Sequence, residues 1–258
     1  MLNYGRCLAK LALYFKACPT SLPDDKINEY LLLLHDTQQP SFSYFKHTVY
    51  GLRLAYRLHG REDKAIRLPS IKRVKSLPLV LNRREVKQLI ATPKWKKHRI
   101  LIALIYSAGL RIREVSRLEQ RDIDFERMTI HIRQSKYKKD RIVPLSAFIK
   151  KGLIDYYQQL CPQQYVFNGK ATASPLSVRA IQYIFRQTLQ KTGILKPANV
   201  HTLRHSYATH LLEEGVDILT LRDLLGHEDI TTTLVYLHVA QLERSSAHSP
   251  LDTLYNWK

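Results

Sequence analysis

Four short segments hold side chains of the types that bind anions, move protons or attack as nucleophiles. They are Ala108-Gly-Leu-Arg111-Ile-Arg-Glu114, the run around Lys136, His201-Thr-Leu-Arg204-His205, and Leu225-Gly-His227 followed by Tyr236. Taken singly, each has a plain structural reading. Arg111 follows a helix-ending glycine and can be a solvated charge beside the next helix. Lys136 can be one more surface lysine. His201 and Arg204 can cap a helix, and Tyr236 can be a buried aromatic on an amphipathic one. His201 and His205 stand at i, i+4 and could face one metal, but the zinc-protease pattern needs Glu after the first His and Thr202 is there. Leu203, Tyr207 and Leu211 read better as the buried face of that helix, with His205 and His210 structural on it.

Charge narrows the partner. Lys and Arg total 41 against 22 Asp and Glu, a formal net charge of +19 over 258 residues. Such an excess repels itself and points to an anionic partner, nucleic acid first and a membrane surface second. No apolar run reaches the roughly 18–20 residues that span a bilayer. Arg6, Lys10 and Lys16 interrupt the N-terminal apolar segment and break a signal-peptide core. A cytoplasmic protein is expected. Cys7, Cys18 and Cys161 are far apart and form no C-x-x-C pair, so they read as free thiols rather than a disulfide framework or zinc site.

The elements that must position the four segments follow from periodicity. Residues 2–17, 25–35 and 41–59 read as three helices, with Pro19, Pro23 and Gly60 as breaks. The basic, proline-containing run at 61–78 reads as a linker. Asn82 with Glu85 three residues later forms a capping-box start, and 98–108 is apolar nearly all round, as a central helix would be. A short helix is expected over 112–118. Met128, Ile130 and Ile132 alternate with polar residues, the polar run 134–140 is turn-like, and Arg141–Leu145 returns, predicting a β-hairpin over 128–145 with a basic tip. Helices are expected over 147–160, 175–192, 202–214, 217–225 and 230–240, punctuated by Gly193, Gly215 and Gly226. The fold class is therefore mainly α with a small β-hairpin or sheet. It comprises a small helical domain over 1–68, a basic linker over 69–78 and a larger, mostly helical domain over 79–258 with a C-terminal tail.

Together the segments resemble a single family, the tyrosine recombinases, which include phage-type integrases, Xer-type recombinases and integron integrases. Leu221–Ala240, with His227 nine residues before Tyr236, looks like the family's last motif. His201-Thr-Leu-Arg204-His205 resembles its H-x-L-R-H box, Ala108-Gly-Leu-Arg111 its first arginine box, and Ser135–Leu145 the hairpin that carries its lysine. The resemblance is specific over about 79–245 and weaker over 1–68, which looks like the family's helical core-binding domain, here short and starting inside the usual first helix. It implies a site-specific DNA recombinase or integrase. Such an enzyme cleaves and rejoins strands through a 3′-phosphotyrosyl intermediate, with no cofactor, metal or ATP. Its partners would be double-stranded DNA recombination sites and three further copies of the chain, in a tetramer on DNA, with no membrane involved and with accessory DNA-bending proteins left open.

The implied roles fit the chemistry. A free tyrosine is ionised in roughly one molecule in 10³ at pH 7, a deficit of about 4 kcal/mol before the chemistry begins. Arg111 and Arg204 would bind the non-bridging oxygens of the phosphorane, because guanidinium forks match phosphate and stay charged. Lys136 would protonate the 5′-oxygen leaving group. His201 would be the acid–base partner of Tyr236, the nucleophile, and His227 would donate to a phosphate oxygen. Tyr137 stands where glycine often follows the lysine, leaving Lys138 and Lys139 as alternatives. Arg113, where a small residue is common, reads as an extra surface or DNA contact. Leu251, Leu254, Tyr255 and Trp257 are expected to dock on a neighbouring copy. Three rivals remain: a type IB topoisomerase-like enzyme, a catalytically silent DNA binder, and a basic RNA-binding or nucleoid protein. Target sequence, biological direction and duplex versus folded single-strand substrate are not readable.

Overall fold

The structure is a computed structural model that describes residues 2–38, 42–61, 77–133, 140–169 and 174–240. Lys136 with its lysine neighbours, most of the linker, and the tail that carries Leu251, Leu254, Tyr255 and Trp257 lie outside these residues. The chain divides into two compact units, Met1–Lys75 and Ser76–Lys258.

The first unit is helical. α1 (Leu2–Phe15), α2 (Asp24–Gln38) and α3 (Phe42–Leu58) wrap one small core built on Leu11, Ile27, Leu31, Phe45, Val49 and Leu52. α1 stops at Lys16, which takes a left-handed φ of 49°. α2 runs longer than its apolar pattern suggested, and Asp24 and Asp25 in its first turn face the positive end of the helix dipole. Arg6, Lys10 and Lys16 remain exposed.

The second unit opens where the capping box predicted. Asn82 Oδ1 accepts from the Glu85 amide at 2.8 Å and Glu85 Oε2 accepts from the Asn82 amide at 2.7 Å, starting α4 (Arg83–Ala91). α5 (Lys96–Ser107) is the central helix, with every residue from Ile100 to Ile105 buried. It ends at Gly109, whose φ of 57° favours glycine and where a Cβ would lie 2.5 Å from the Tyr207 ring. α6 (Ile112–Ser116) follows at once.

The expected hairpin is two strands of a three-stranded antiparallel sheet in the order β1-β2-β3: β1 (Ile123–Asp124), β2 (Thr129–Ile132) and β3 (Arg141–Pro144). β1 is only two residues long and carries no alternation to read. It is held by a turn in which Asp124 Oδ1 accepts from the amides of Glu126 and Arg127, and which places Met128 at a φ of 55°. Ile130 pairs with Val143 and Ile132 with Arg141. α7 (Ala147–Leu160), α8 (Val178–Thr192), α9 (Val200–Glu213) and α10 (Ile218–Leu225) complete the layer. α9 starts two residues before its apolar pattern because Asn199 caps it, Oδ1 accepting from the His201 amide at 2.8 Å. The expected helix over 230–240 is a single α turn, α11 (Thr231–Leu234), tightening into a 3-10 turn over Val235–His238. A separate small core of Tyr207, Ala208, Leu212, Leu221, Leu225 and Tyr236 locks α9, α10 and this last turn together.

Candidate active site

Arg204 is 4 % exposed in the interior of α9. A buried guanidinium must have its donors satisfied. Arg204 Nη1 donates to the Gly109 carbonyl and Nη2 to the Leu225 carbonyl, both at 2.6 Å. These two carbonyls belong to the glycine turn after α5 and to the end of α10, so Arg204 ties together two of the segments that the sequence singled out. Burial, with Arg111 nearby, lowers its pKa to about 9, which leaves it charged at neutral pH.

Arg111 stands at the start of α6. Its amide donates to Glu114 Oε2 at 2.8 Å, its Nη1 to Glu114 Oε1 at 2.8 Å, and its Nη2 to the Gly226 carbonyl at 3.1 Å. Arg111 and Arg204 therefore bind adjacent carbonyls, Gly226 and Leu225, at the same helix end.

His227 follows directly. Arg204 Nη2 lies 3.1 Å from His227 Nε2, and Thr233 Oγ1 lies 2.9 Å from His227 Nδ1. A guanidinium can only donate, so Nε2 accepts and the proton sits on Nδ1, donating to Thr233. Burial first, and then the charges of Arg204, Arg111 and Arg141, push His227 down to about 3, so it is neutral. His227, expected to donate to a phosphate oxygen, here has Nε2 as an acceptor from Arg204.

Tyr236 lies in the 3-10 turn and is 4 % exposed. Its hydroxyl is 2.9 Å from His205 Nδ1. Burial raises the Tyr236 pKa, while Arg204 and Arg111 pull it back. His205 is lowered, by burial and then by His201 and Arg204, and is thus a neutral imidazole able to accept the tyrosine proton. His205 read as structural from the sequence, yet it is the histidine on the Tyr236 oxygen. His201, expected in that place, is exposed in the first turn of α9. The two are four residues apart on one helix, so only knowledge of which way Tyr236 enters could separate them. His210 is structural as expected, with Nδ1 2.9 Å from the Tyr106 hydroxyl.

His201 and Arg111 line a cleft of about 900 Å3, along with Arg113, Arg117, Arg121 and Arg133. Arg121 and Arg133 are paired with Glu119 and Asp122, whereas Arg113 and Arg117 are exposed on α6 and just after it. The cleft is suited to an anionic backbone. Two further residues that the sequence reading did not single out belong to the site. Glu114 is held by Arg111, and Arg141 on β3 forks onto the same carboxylate, with Nη1 and Nη2 at 2.8 Å from Oε1 and Oε2. Arg111-x-x-Glu114 has the spacing of a capping box, which is the signal that could have found Glu114. Among the described residues no group of three or more His, Cys, Asp or Glu side chains is gathered as for a metal, and no helix is long and apolar enough to cross a membrane.

Residues 80–243 match the phage integrase family. The chain is 38 % identical over 196 residues to a tyrosine recombinase XerA of Thermococcus kodakarensis, covering 74 % of this chain and 69 % of that one. It is 31 % identical over 255 residues to a putative integrase/recombinase of Sinorhizobium fredii, covering 98 % and 83 %. In fold it is similar to the site-specific recombinase XerH in a post-cleavage complex on its palindromic difH substrate, with a TM-score of 0.77, 21 % identity, and coverage of 99 % of this chain and 78 % of that one. The likeness spans the site just described, and this chain is a tyrosine recombinase of the phage integrase family.

Proposed function

We propose that the protein is a site-specific DNA recombinase or integrase working through Tyr236. The observation that carries this reading is the meeting of Tyr236, held by His205, with two arginines that converge on adjacent carbonyls at the end of α10. Tyr236 Oη attacks the scissile phosphorus, the Oη–P bond forms, and the P–O5′ bond breaks. Arg111 and Arg204 exchange part of their carbonyl bonding for the non-bridging oxygens, where charge builds up. His205 takes the Tyr236 proton, and His201, in the cleft beside Arg111, faces the phosphate. His227 becomes a donor once the phosphate charge raises its pKa. Lys136 protonates the departing 5′-oxygen. The resulting 3′-phosphotyrosyl diester conserves the energy of the broken bond, so a partner strand's 5′-hydroxyl can reverse the attack without ATP or metal.

On this reading the first unit is the core-binding domain, the second is catalytic, and the basic residues around the cleft supply most of the salt-dependent affinity for duplex DNA. Pairing two sites calls for four copies of the chain, and the protein would act on DNA in the cytoplasm. XerH was solved on its difH substrate, which supports DNA as the partner here.

The test is a library of nicked duplex suicide substrates, from which the short leaving strand diffuses away so that a covalent intermediate accumulates. Wild type should give a slow-migrating adduct on a denaturing gel, and Tyr236→Phe none. An adduct that survives Tyr236→Phe would mean that another tyrosine attacks, and tight binding without any adduct would favour a silent DNA binder. Relaxation of any supercoiled plasmid would favour the topoisomerase reading.

A further inference from the structure

Three consecutive carbonyls at the end of α10 each accept from a different arginine. Leu224 takes Arg141 Nε at 2.9 Å, Leu225 takes Arg204 Nη2 at 2.6 Å, and Gly226 takes Arg111 Nη2 at 3.1 Å. A helix C-terminus carries unpaired carbonyls and the negative end of the dipole, so it collects cations. Two of the three arginines, Arg111 and Arg204, hold the scissile phosphate in the proposed function. Arg141 differs from them in that both terminal nitrogens of its guanidinium are committed to the Glu114 carboxylate, the two side chains each being 7 % exposed. It is therefore placed to act through other residues rather than on DNA.

We propose that Arg141 is a positioning residue of the cleavage site. It aims Arg111 by fixing Glu114, and it fixes the α10 end to which Arg111 and Arg204 are bound. This rests on the functional reading above, in which those two arginines hold the scissile phosphate. Arg141 comes from β3, Glu114 from α6 and Leu224 from α10, so one guanidinium locks three elements at a single point. The fit is close: a Cβ at Gly226 would lie 3.0 Å from Arg141 Cδ. A lysine would keep the charge but could not make the fork and the Leu224 bond together.

The groups facing Glu114 define the readout. Arg111 reaches it from the start of α6, Arg141 from β3, and Arg204 and His201 from α9. Without Arg141, burial acts on a carboxyl left with Arg111 as its direct partner, and Glu114 takes up a proton at higher pH. Protonated Glu114 accepts less well from Arg111, and Arg111 loses its aim. The wild-type acid limb of cleavage would belong to His205, the base on Tyr236, which burial lowers.

The experiment uses full-length protein and a nicked duplex carrying the sequence that wild type traps from the suicide library. Single-turnover adduct formation is followed against pH for wild type, Arg141→Lys, Arg141→Met, Glu114→Gln and the Arg141→Met/Glu114→Gln double variant. DNA affinity is measured in parallel. Arg141→Lys and Arg141→Met should each slow cleavage by about tenfold or more while Kd stays within about threefold. Arg141→Met should also move the acid limb upward by about one pH unit, and the double variant should lose that displacement because no carboxyl remains to titrate. An Arg141→Met rate and pH profile that superimpose on wild type would overturn the proposal. So would parallel loss of cleavage and binding in both Arg141→Lys and Arg141→Met, which would make the residue a general structural support. A wild-type adduct that does not depend on Tyr236 would instead strike the functional reading.

Discussion

Replacing Glu114 by Gln should remove a block of stability that wild type itself loses in acid. Burial alone would push the Glu114 carboxyl up, but the Arg141 fork and charge, with the amide and guanidinium of Arg111, outweigh it and hold the carboxyl at about 2, against an ordinary value of 4.5. The folded pKa lies below the unfolded one, so this stability is complete above about pH 4.5 and is lost as pH falls toward 2. That depression corresponds to about 3 kcal/mol. Linkage then removes a little under half of it by pH 3.5. Denaturant unfolding of wild type and Glu114→Gln at pH 7 and pH 3.5, followed on the second unit, checks this. The gap between the proteins should be widest at pH 7, at about 3 kcal/mol, and should narrow by more than about 1 kcal/mol at pH 3.5. Curves that stay parallel across this range would show that the carboxylate is not carrying its pairing energy into stability, and would refute the electrostatic account of the cluster.

Three further outcomes follow from the same geometry. His205→Gln should slow wild-type cleavage at neutral pH by about 10²-fold or more and should not be rescued by a 5′-bridging phosphorothiolate, whose leaving group needs no proton; rescue would assign His205 to the leaving-group side. Arg117→Ala, which removes an exposed cation of the cleft, should leave cleavage of bound DNA intact but lower the slope of log affinity against log salt by about 0.9, as gel-shift titrations at several salt concentrations would show. Gly226→Ala meets both a φ of 62° and Arg141, so it should cost about 1–2 kcal/mol of stability and slow cleavage more than binding. Equal effects on the two would mean that the Gly226 turn does not aim the arginines.

Much of this was legible in the sequence because the signals are local. The Asn82 box, the Gly109 stop, the largely apolar 98–108 run and the alternation of β2 each declare themselves within a few residues. β1 was not legible: two residues carry no period, and they become a strand only because β2 lies beside them. Arg111, Arg204, His227 and Tyr236 were legible as a set, and the structure gathers them around one helix end. The distinction between His201 and His205 was not. Both lie on α9 in the same segment, and the choice is made by a residue thirty-one positions further along the chain than His205. Arg141 stayed hidden for a similar reason. In sequence it is one basic residue among many after a lysine-rich tip, and its meaning comes from Glu114 and Leu224, which reach it from other elements.

On the proposed reading, the site is arranged to receive a phosphate rather than to attack one. Tyr236 is buried with a raised pKa and shares its hydrogen with His205. His227 is neutral and presents an acceptor, not a donor. Arg204 spends its donors on two main-chain carbonyls and His227, and Arg111 gives Nη2 to the Gly226 carbonyl beside its Glu114 pairing; the neutral acceptors among these hold the guanidinium groups less strongly than a phosphate would. On the proposed reading, the conditions at His227 and at the two arginines are reversed by one event, the entry of an anion between the two guanidinium groups. It draws the arginines toward the oxygens and frees Nε2 of His227 from its donor. Its charge then favours protonated His227, which can donate to it. Only the tyrosine gains nothing directly from the anion, since a nearby negative charge opposes its ionisation. Its activation must come from the arginines that the phosphate has recruited and from the neutral imidazole of His205. The proposed function thus places the burden of catalysis on the aim of Arg111 and Arg204, and so on the end of α10, where both are held.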